Sequence, residues 1–147
     1  MLKDMGKDVL VLTNGACFPA EQALKKFLSF GIPLEIADIV SSRAALAAAI
    51  PPLPDSGFWG VMSTQNSHVE TFGIPWKRLE NDMSIYDAAS GFILLSTLEW
   101  TEAQQMLLQE SLAKVARPIL VGNPDIVAPR GRYLSLEPGY YLSLIHI

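Results

Sequence analysis

Thr13, Asn14 and Gly15 bring a hydroxyl, a side-chain amide and a glycine to one point, directly after the apolar run of residues 9–12. That run, followed by Pro19 inside a helical pattern, predicts a parallel strand entering a βα unit. Ligands of open α/β sheets bind outside the carboxyl ends of strands, where backbone amides can meet an anion. Thr13 and Asn14 are therefore the best candidates for a phosphate site, although the spacing alone fits an Asn-Gly turn without a ligand somewhat better.

A second polar group, Asn123, Pro124 and Asp125, follows the apolar run that ends at Gly122. It repeats the arrangement of a polar tip on a buried strand, so it is a second candidate for ligand binding. An Asx turn or a helix cap gives the same pattern without any ligand. Both interpretations stay open at the level of the sequence.

The remaining reactive side chains give weaker signals. Cys17 lies near the first candidate site, but a lone cysteine in an apolar setting is typical of a packing residue. His68 and His146 have no carboxylate at the spacing of a zinc site or of a Ser-His-Asp triad. We therefore exclude both kinds of site. Arg130 and Arg132 flank a glycine and could hold an anion by paired guanidinium contacts, or form an ordinary surface loop.

Composition limits the class of protein. The 147 residues are 50% hydrophobic and 18% charged, with a mean hydropathy of +0.26, which predicts a globular chain of one domain or parts of two. A net charge of -4 and a pI near 5.1 give no attraction for nucleic acid, which we exclude as a partner. The single cysteine and the lack of a long apolar run predict a cytoplasmic protein that does not enter a membrane.

The elements that must position these residues follow a βαβα order at first. We predict strands at residues 9–13 and 36–40, a helix opened by Pro19 and closed by Gly31, and a helix over residues 43–50 capped by Ser41 or Ser42. Prolines in residues 51–54 predict a domain junction. Beyond it the sequence predicts strands at residues 58–62, 91–96 and 119–122, a helix at residues 101–116, and a loop or short helix at residues 66–82. Residues 2–7 are typical of a helix tail closed by Gly6.

These segments together resemble the class IIA (C2-capped) branch of the haloacid dehalogenase (HAD) superfamily, phosphatases related to the sugar-phosphate and nitrophenyl-phosphate enzymes. Residues 9–15 look like the second superfamily motif. Residues 121–125 and 136–139 look like the end of the cap. The resemblance implies an α/β fold: a fragment of a Rossmann-like core at residues 1–50, most of an α/β cap at residues 54–138, and a return to the core or a non-native tail at residues 139–147.

The resemblance also implies roles. A core aspartate of that family attacks the phosphoryl group, Mg²⁺ neutralises charge, and the motif-two hydroxyl, here Thr13, holds the phosphate oxygens. Asn14 and Gly15 would shape the loop beside a small phosphorylated metabolite, and Gly15 contributes only backbone where many members have asparagine. Asn123, Pro124 and Asp125 would contact the substrate from the cap, which closes over the site.

Several family motifs have no counterpart in this sequence. No Asp-x-Asp follows a hydrophobic strand, and the glycine-lysine-proline segment and the later Gly-Asp metal loop are missing. We therefore expect a chain truncated at both ends, inactive by itself, in which residues 142–147 are not family sequence. An open strand edge would then favour aggregation or a homo-oligomer.

Two other functions remain possible from the residues. A non-enzymatic α/β module could bind a phosphorylated metabolite or a protein partner through the same strand ends. A dinucleotide-binding half-domain is less favoured, because Gly15 stands without a G-x-G-x-x-G context.

Overall fold

A computed structural model describes residues 5–54 and 56–145 as a mixed α/β fold, which confirms the predicted class. The predicted helix tail at residues 2–7 lies partly outside the described residues. The elements in chain order are β1 Val11–Thr13, α1 Ala20–Ser29, β2 Ile39–Ser41, α2 Ser42–Ala49, β3 Trp59–Met62, β4 Trp76–Arg78, α3 Met83–Ala88, β5 Gly91–Leu94, α4 Glu102–Lys114, β6 Ile119–Val121, β7 Val127–Arg130, β8 Tyr133–Leu136 and α5 Pro138–Ser143.

The first strands form a two-stranded parallel sheet in which Thr13 lies opposite Ser41. The strand predicted at residues 36–40 begins later, because Ile36–Asp38 form a 3-10 turn. Glu35 and Asp38 form a capping box, in which each side chain accepts a hydrogen bond from the backbone amide of the other residue. These two amides are then not available for pairing with a neighbouring strand. Ser41 then caps α2 by accepting a hydrogen bond from the Ala44 amide, as predicted.

The second sheet is parallel throughout, with four strands in the order β4, β3, β5, β6. β4 lies in the segment predicted to be a loop or short helix. It is a three-residue edge strand that carries Lys77 and Arg78, so neither its length nor its composition gives a strand signal. The sequence predicts helical segments between these strands without bounds for α3, which begins where the Asp82 carboxylate accepts a hydrogen bond from the Ser84 amide.

Both faces of the four-stranded sheet are covered, as expected for parallel strands. One face packs Met62, Phe92 and Leu94 against α3, α4 and the C-terminal helix α5. The other packs Trp59 and Val61 against α2 and the loop that follows β1; its core residues are Ala16, Leu46, Trp59, Val61, Val69, Ile93 and Leu95. The two sheets are therefore joined through α2. Among the described residues, no helix has the length and apolar character needed to cross a membrane.

The Tyr86 hydroxyl is buried in the first of these cores and finds no hydrogen-bond partner among the residues that the structure describes. Burial also raises the pKa of the phenol above its usual value, so the group stays neutral. Tyr86→Phe is therefore expected to raise the free energy of unfolding by about 1 kcal/mol, because it removes an unsatisfied buried polar group. Urea denaturation measures this. Tyr133→Phe, at a 68% exposed site, is the matched control and should change stability little; a destabilised Tyr86→Phe protein would contradict the prediction.

The β1–β2 sheet leaves apolar side chains in solvent. Leu12 is 83% exposed and Leu10 is 67% exposed. Parallel strands are normally covered on both faces, so this surface favours self-association, and the homo-oligomer remains a prediction. Leu12→Lys is expected to lower the average mass in light scattering, whereas Leu134→Lys, at an exposed position of the β7–β8 hairpin, should not. An unchanged mass for Leu12→Lys would contradict this interface.

Candidate functional site

A groove of about 410 Å³ lies where strands of both parallel sheets end. It is lined by residues at the carboxyl ends of β1, β2, β5 and β6, by the β7–β8 hairpin and by the start of α5. This is the position where ligands of α/β sheets bind. The groove is lined by Thr13, Asn14, Gly15, Ala16, Cys17, Phe18, Ala20, Gln22, Ala23, Lys26, Phe27, Ser41, Leu95, Ser96, Leu98, Asn123, Asp125, Ala128, Arg130, Glu137 and Pro138.

The loop after β1 presents Thr13 to this groove. Its Oγ1 accepts a hydrogen bond from the Gly15 amide at 3.2 Å, so the side chain holds its own loop in a tight turn. A hydroxyl that accepts one bond can still donate its hydrogen, and that donor remains for an oxygen in the groove. Asn14 and Gly15 are exposed at the tip of the same turn.

The second predicted group lies across the groove from the first. Asn123 Nδ2 donates to Asp125 Oδ2 at 2.8 Å, and the Asp125 amide lies 3.4 Å from Asn123 Oδ1, which is the Asx-type turn considered from the sequence. Asn14 Nδ2 reaches the same Asp125 oxygen at 3.5 Å. The fold thus brings together two polar groups that are far apart in sequence. Pro124 shapes the turn but does not line the groove.

The hairpin adds charge that the sequence only partly indicated. Arg130, one of the two candidate anion-binding arginines, lines the groove and forms an ion pair with Glu137 at 3.0 Å. Ser135 Oγ also donates to Glu137, at 2.6 Å. Arg132 is exposed and does not line the groove, so the predicted pair of guanidinium groups does not converge on one ligand.

Sequence reasoning missed other groove residues. Ser96 follows the apolar strand β5 as Thr13 follows β1, and that parallel could have identified it. Lys26 and Phe27 belong to α1, a helix that the sequence predicts but does not connect with either candidate site. Arg43 gave no signal; it lies under the Thr13 loop, where burial lowers the pKa of its guanidinium from the usual value.

The described residues do not fit a magnesium site. In residues 5–54 and 56–145, no group of three or more His, Cys, Asp or Glu side chains could hold a metal ion. The carboxylates at the groove are already engaged, Asp125 by two asparagine amides and Glu137 by Arg130 and Ser135. No catalytic step is therefore derived through a metal from these residues.

Comparison with known proteins identifies the fold. No protein-family model matches the sequence, and comparison with curated proteins finds no match. Among solved structures, the chain is similar to a possible sugar phosphatase of the HAD superfamily from Cytophaga hutchinsonii, with a TM-score of 0.79 and 21% identity. A p-nitrophenyl phosphatase from Archaeoglobus fulgidus and a 4-nitrophenylphosphatase from Thermotoga maritima each match with a TM-score of 0.74 and 16% identity.

Each of these alignments covers 98% of this chain but only 52 to 53% of the solved chain. The chain therefore spans about half the length of these structures. Its fold matches about half of each of these chains, which confirms the α/β fold expected from the sequence.

Proposed function

We propose that this chain is part of a HAD-superfamily phosphatase that hydrolyses a small phosphate monoester, and that the groove holds the phosphoryl group. One observation carries the proposal. Thr13, at the carboxyl end of β1, lines a groove that is also lined by Asn123 and Asp125, which follow strand β6 of the second sheet. A polar strand end opposite a second polar loop is how an α/β fold encloses a small anionic ligand.

The division into domains belongs to the same proposal. We assign residues 1–50 to the core and residues 54–138 to the cap. The groove then lies between core and cap, and closure of the cap would exclude water and select the leaving group. Residues 139–147 would begin the return to the core or form a non-native tail.

The chemistry proposed for these residues is positioning. Thr13 donates its hydroxyl hydrogen to a non-bridging phosphate oxygen, and the Asn14 amide and the Gly15 backbone shape the loop beside it. Asn123 and Asp125 contact the leaving group from the opposite side. In the longer protein an aspartate from another segment would accept the phosphoryl group, and Mg²⁺ held by residues of that segment would neutralise charge.

Activity measurements test the role assigned to this chain. The purified 147-residue protein is expected to bind vanadate, a phosphate analogue, in calorimetry, and to release no p-nitrophenol from p-nitrophenyl phosphate in the presence of Mg²⁺. Turnover by this chain would contradict the proposal that nucleophile and metal ligands lie elsewhere. Absence of vanadate binding would contradict the phosphate site itself.

The coding DNA on both sides of this reading frame separates a hydrolase from a module that only binds. The proposal expects an upstream Asp-x-Asp at the end of an apolar strand and a downstream lysine segment. Expression of the longer frame should then give Mg²⁺-dependent hydrolysis. Flanking sequence without these residues would contradict the hydrolase and leave the binding module. The proposed ligand is a small phosphorylated metabolite rather than nucleic acid. The proposed location of the protein is the cytoplasm.

A further inference from the structure

Arg43 is a buried cation directly beneath the loop that presents Thr13. The residue is 5% exposed and lies in the first turn of α2. Its Nη1 donates to the backbone oxygens of Ala16 and Cys17, both at 3.1 Å. These two carbonyls belong to the part of the loop that follows Gly15, so one nitrogen holds the loop's C-terminal half.

The second nitrogen of the same guanidinium binds the lobe of the four-stranded sheet. Nη2 donates to the His68 backbone oxygen at 2.8 Å and to Thr71 Oγ1 at 2.9 Å. The guanidinium also stacks over Phe72, with Cζ 4.3 Å from the ring centroid. Arg43 therefore connects the Thr13 loop to a segment between β3 and β4, in a geometry that only a planar fork of donors provides.

The segment that receives Arg43 is held in a costly backbone conformation. His68 has a φ of 48°, in the left-handed region that non-glycine residues rarely adopt. The His68 carbonyl accepts from Thr71 Oγ1 at 2.8 Å as well as from Arg43. A residue keeps a strained backbone conformation only when its contacts hold it there. The two hydrogen bonds that the His68 carbonyl accepts provide such contacts.

Glu70 and Glu21 attract the charge of Arg43, but neither carboxylate forms an ion pair with it. Among the described residues, no ion pair involves its guanidinium, and its polar partners are three carbonyls and one hydroxyl. A buried cation is tolerated only when its donors are satisfied, and a guanidinium remains protonated in this setting. Removing the guanidinium would take this donor away from the carbonyls of Ala16 and Cys17. The geometry of the loop therefore depends on Arg43.

The loop is fixed at its other end by neighbours of Arg43. Thr13 pairs in register with Ser41, and Ser42 Oγ donates to the Thr13 carbonyl at 3.5 Å. The start of α2 thus holds Thr13 on one side and Ala16 on the other. Only the exposed tip formed by Asn14 and Gly15 is left outside these contacts.

We infer that Arg43 is a positioning residue. It holds the loop after β1 against the segment between β3 and β4, so that the Thr13 hydroxyl and the loop amides face the groove. The inference rests on the proposed function, because positioning matters if this loop binds a phosphoryl group. Arg43 itself does not line the groove and would not touch the ligand.

Arg117 offers a matched control within the same chain. Its guanidinium also donates to backbone carbonyls, those of Tyr86, Ala89 and Ser111, and also stacks on a phenylalanine, Phe92, at 5.0 Å. It does not line the groove and does not contact the Thr13 loop. Arg43→Met and Arg117→Met therefore remove similar anchors at different places.

Two measurements at a temperature where both variants are folded test the inference. Vanadate titration is expected to show about tenfold weaker binding for Arg43→Met and no change for Arg117→Met. Hydrogen exchange without vanadate is expected to show roughly tenfold faster exchange of the amides of residues 14–18 in Arg43→Met only. If Arg43→Met does not fold, Arg43→Lys, which keeps the charge but loses the fork, replaces it with the same expectation.

Each outcome decides a separate point. Unchanged loop exchange in the Arg43 variant, or the same increase in the Arg117 variant, overturns the positioning role. Unchanged vanadate affinity despite a mobilised loop also overturns it. If wild-type protein does not bind vanadate, the proposed function fails, and loop exchange alone then decides whether Arg43 orders this loop.

Discussion

Thr13→Val is expected to bind vanadate about 10- to 100-fold more weakly than the wild-type protein. Valine keeps the β-branched shape of threonine, so β1 is preserved, but the donor for a phosphoryl oxygen is lost. A hydrogen bond to a charged group contributes about 1.5–3 kcal/mol, which corresponds to that range of affinity. The acceptor of the Gly15 amide is lost as well, so the loop also becomes less ordered.

Calorimetric titration measures this effect, and Thr101→Val is its control. Thr101 Oγ1 caps α4 by accepting a hydrogen bond from the Gln104 amide and does not line the groove. Its replacement should lower the free energy of unfolding by about 1 kcal/mol without changing vanadate affinity. Equal affinity of the Thr13→Val and wild-type proteins would remove Thr13 from the site.

Gly139→Ala is expected to lower the free energy of unfolding by about 3 kcal/mol, at the upper end of the usual cost of overpacking. Gly139 is buried near the start of α5, and its amide donates to the Asp125 backbone oxygen at 3.0 Å. A Cβ on this residue would overlap the backbone oxygen of Pro124, so the backbone must move. The displaced turn carries Asp125, and vanadate binding should weaken too.

Urea denaturation of Gly139→Ala and Gly15→Ala gives the comparison. A Cβ at Gly15 would meet only the Thr13 side chain, at 3.4 Å from Oγ1, and the residue has no positive φ. Gly15→Ala should therefore leave the stability almost unchanged. A Gly139→Ala protein as stable as the wild type would show that the contact between α5 and the Asn123-Pro124-Asp125 turn does not constrain the fold.

Strand positions could be predicted where burial leaves a run of apolar residues. β3, β5 and β6 are buried parallel strands, and each was predicted within a few residues of its observed bounds. The edge strand β4 could not be predicted in this way, because its stability comes from pairing with β3 and not from the strand preference of its own residues. The β7–β8 hairpin was likewise predicted only as a turn around Gly131, since its strands are largely exposed and lack the alternation of a half-buried strand.

The candidate site divides in the same way. Thr13 and Asp125 were identified because small polar residues after apolar runs mark the ends of strands. That these residues approach each other across one groove depends on α2 joining the two sheets, which no local pattern encodes. Arg43 was missed for the same reason, because its acceptors are backbone carbonyls about 25 or more residues away in sequence. Every residue has a backbone carbonyl, so the residue types at those positions do not indicate the contact.

Backbone amide NMR shifts, followed while inorganic phosphate and then vanadate are added to the 147-residue protein, test the central claim most directly. The account predicts saturable shifts at Thr13, Asn14 and Gly15, with smaller shifts at Asn123 and Asp125 across the groove. Saturable shifts confined to other surfaces, or no shifts with either anion, would contradict it.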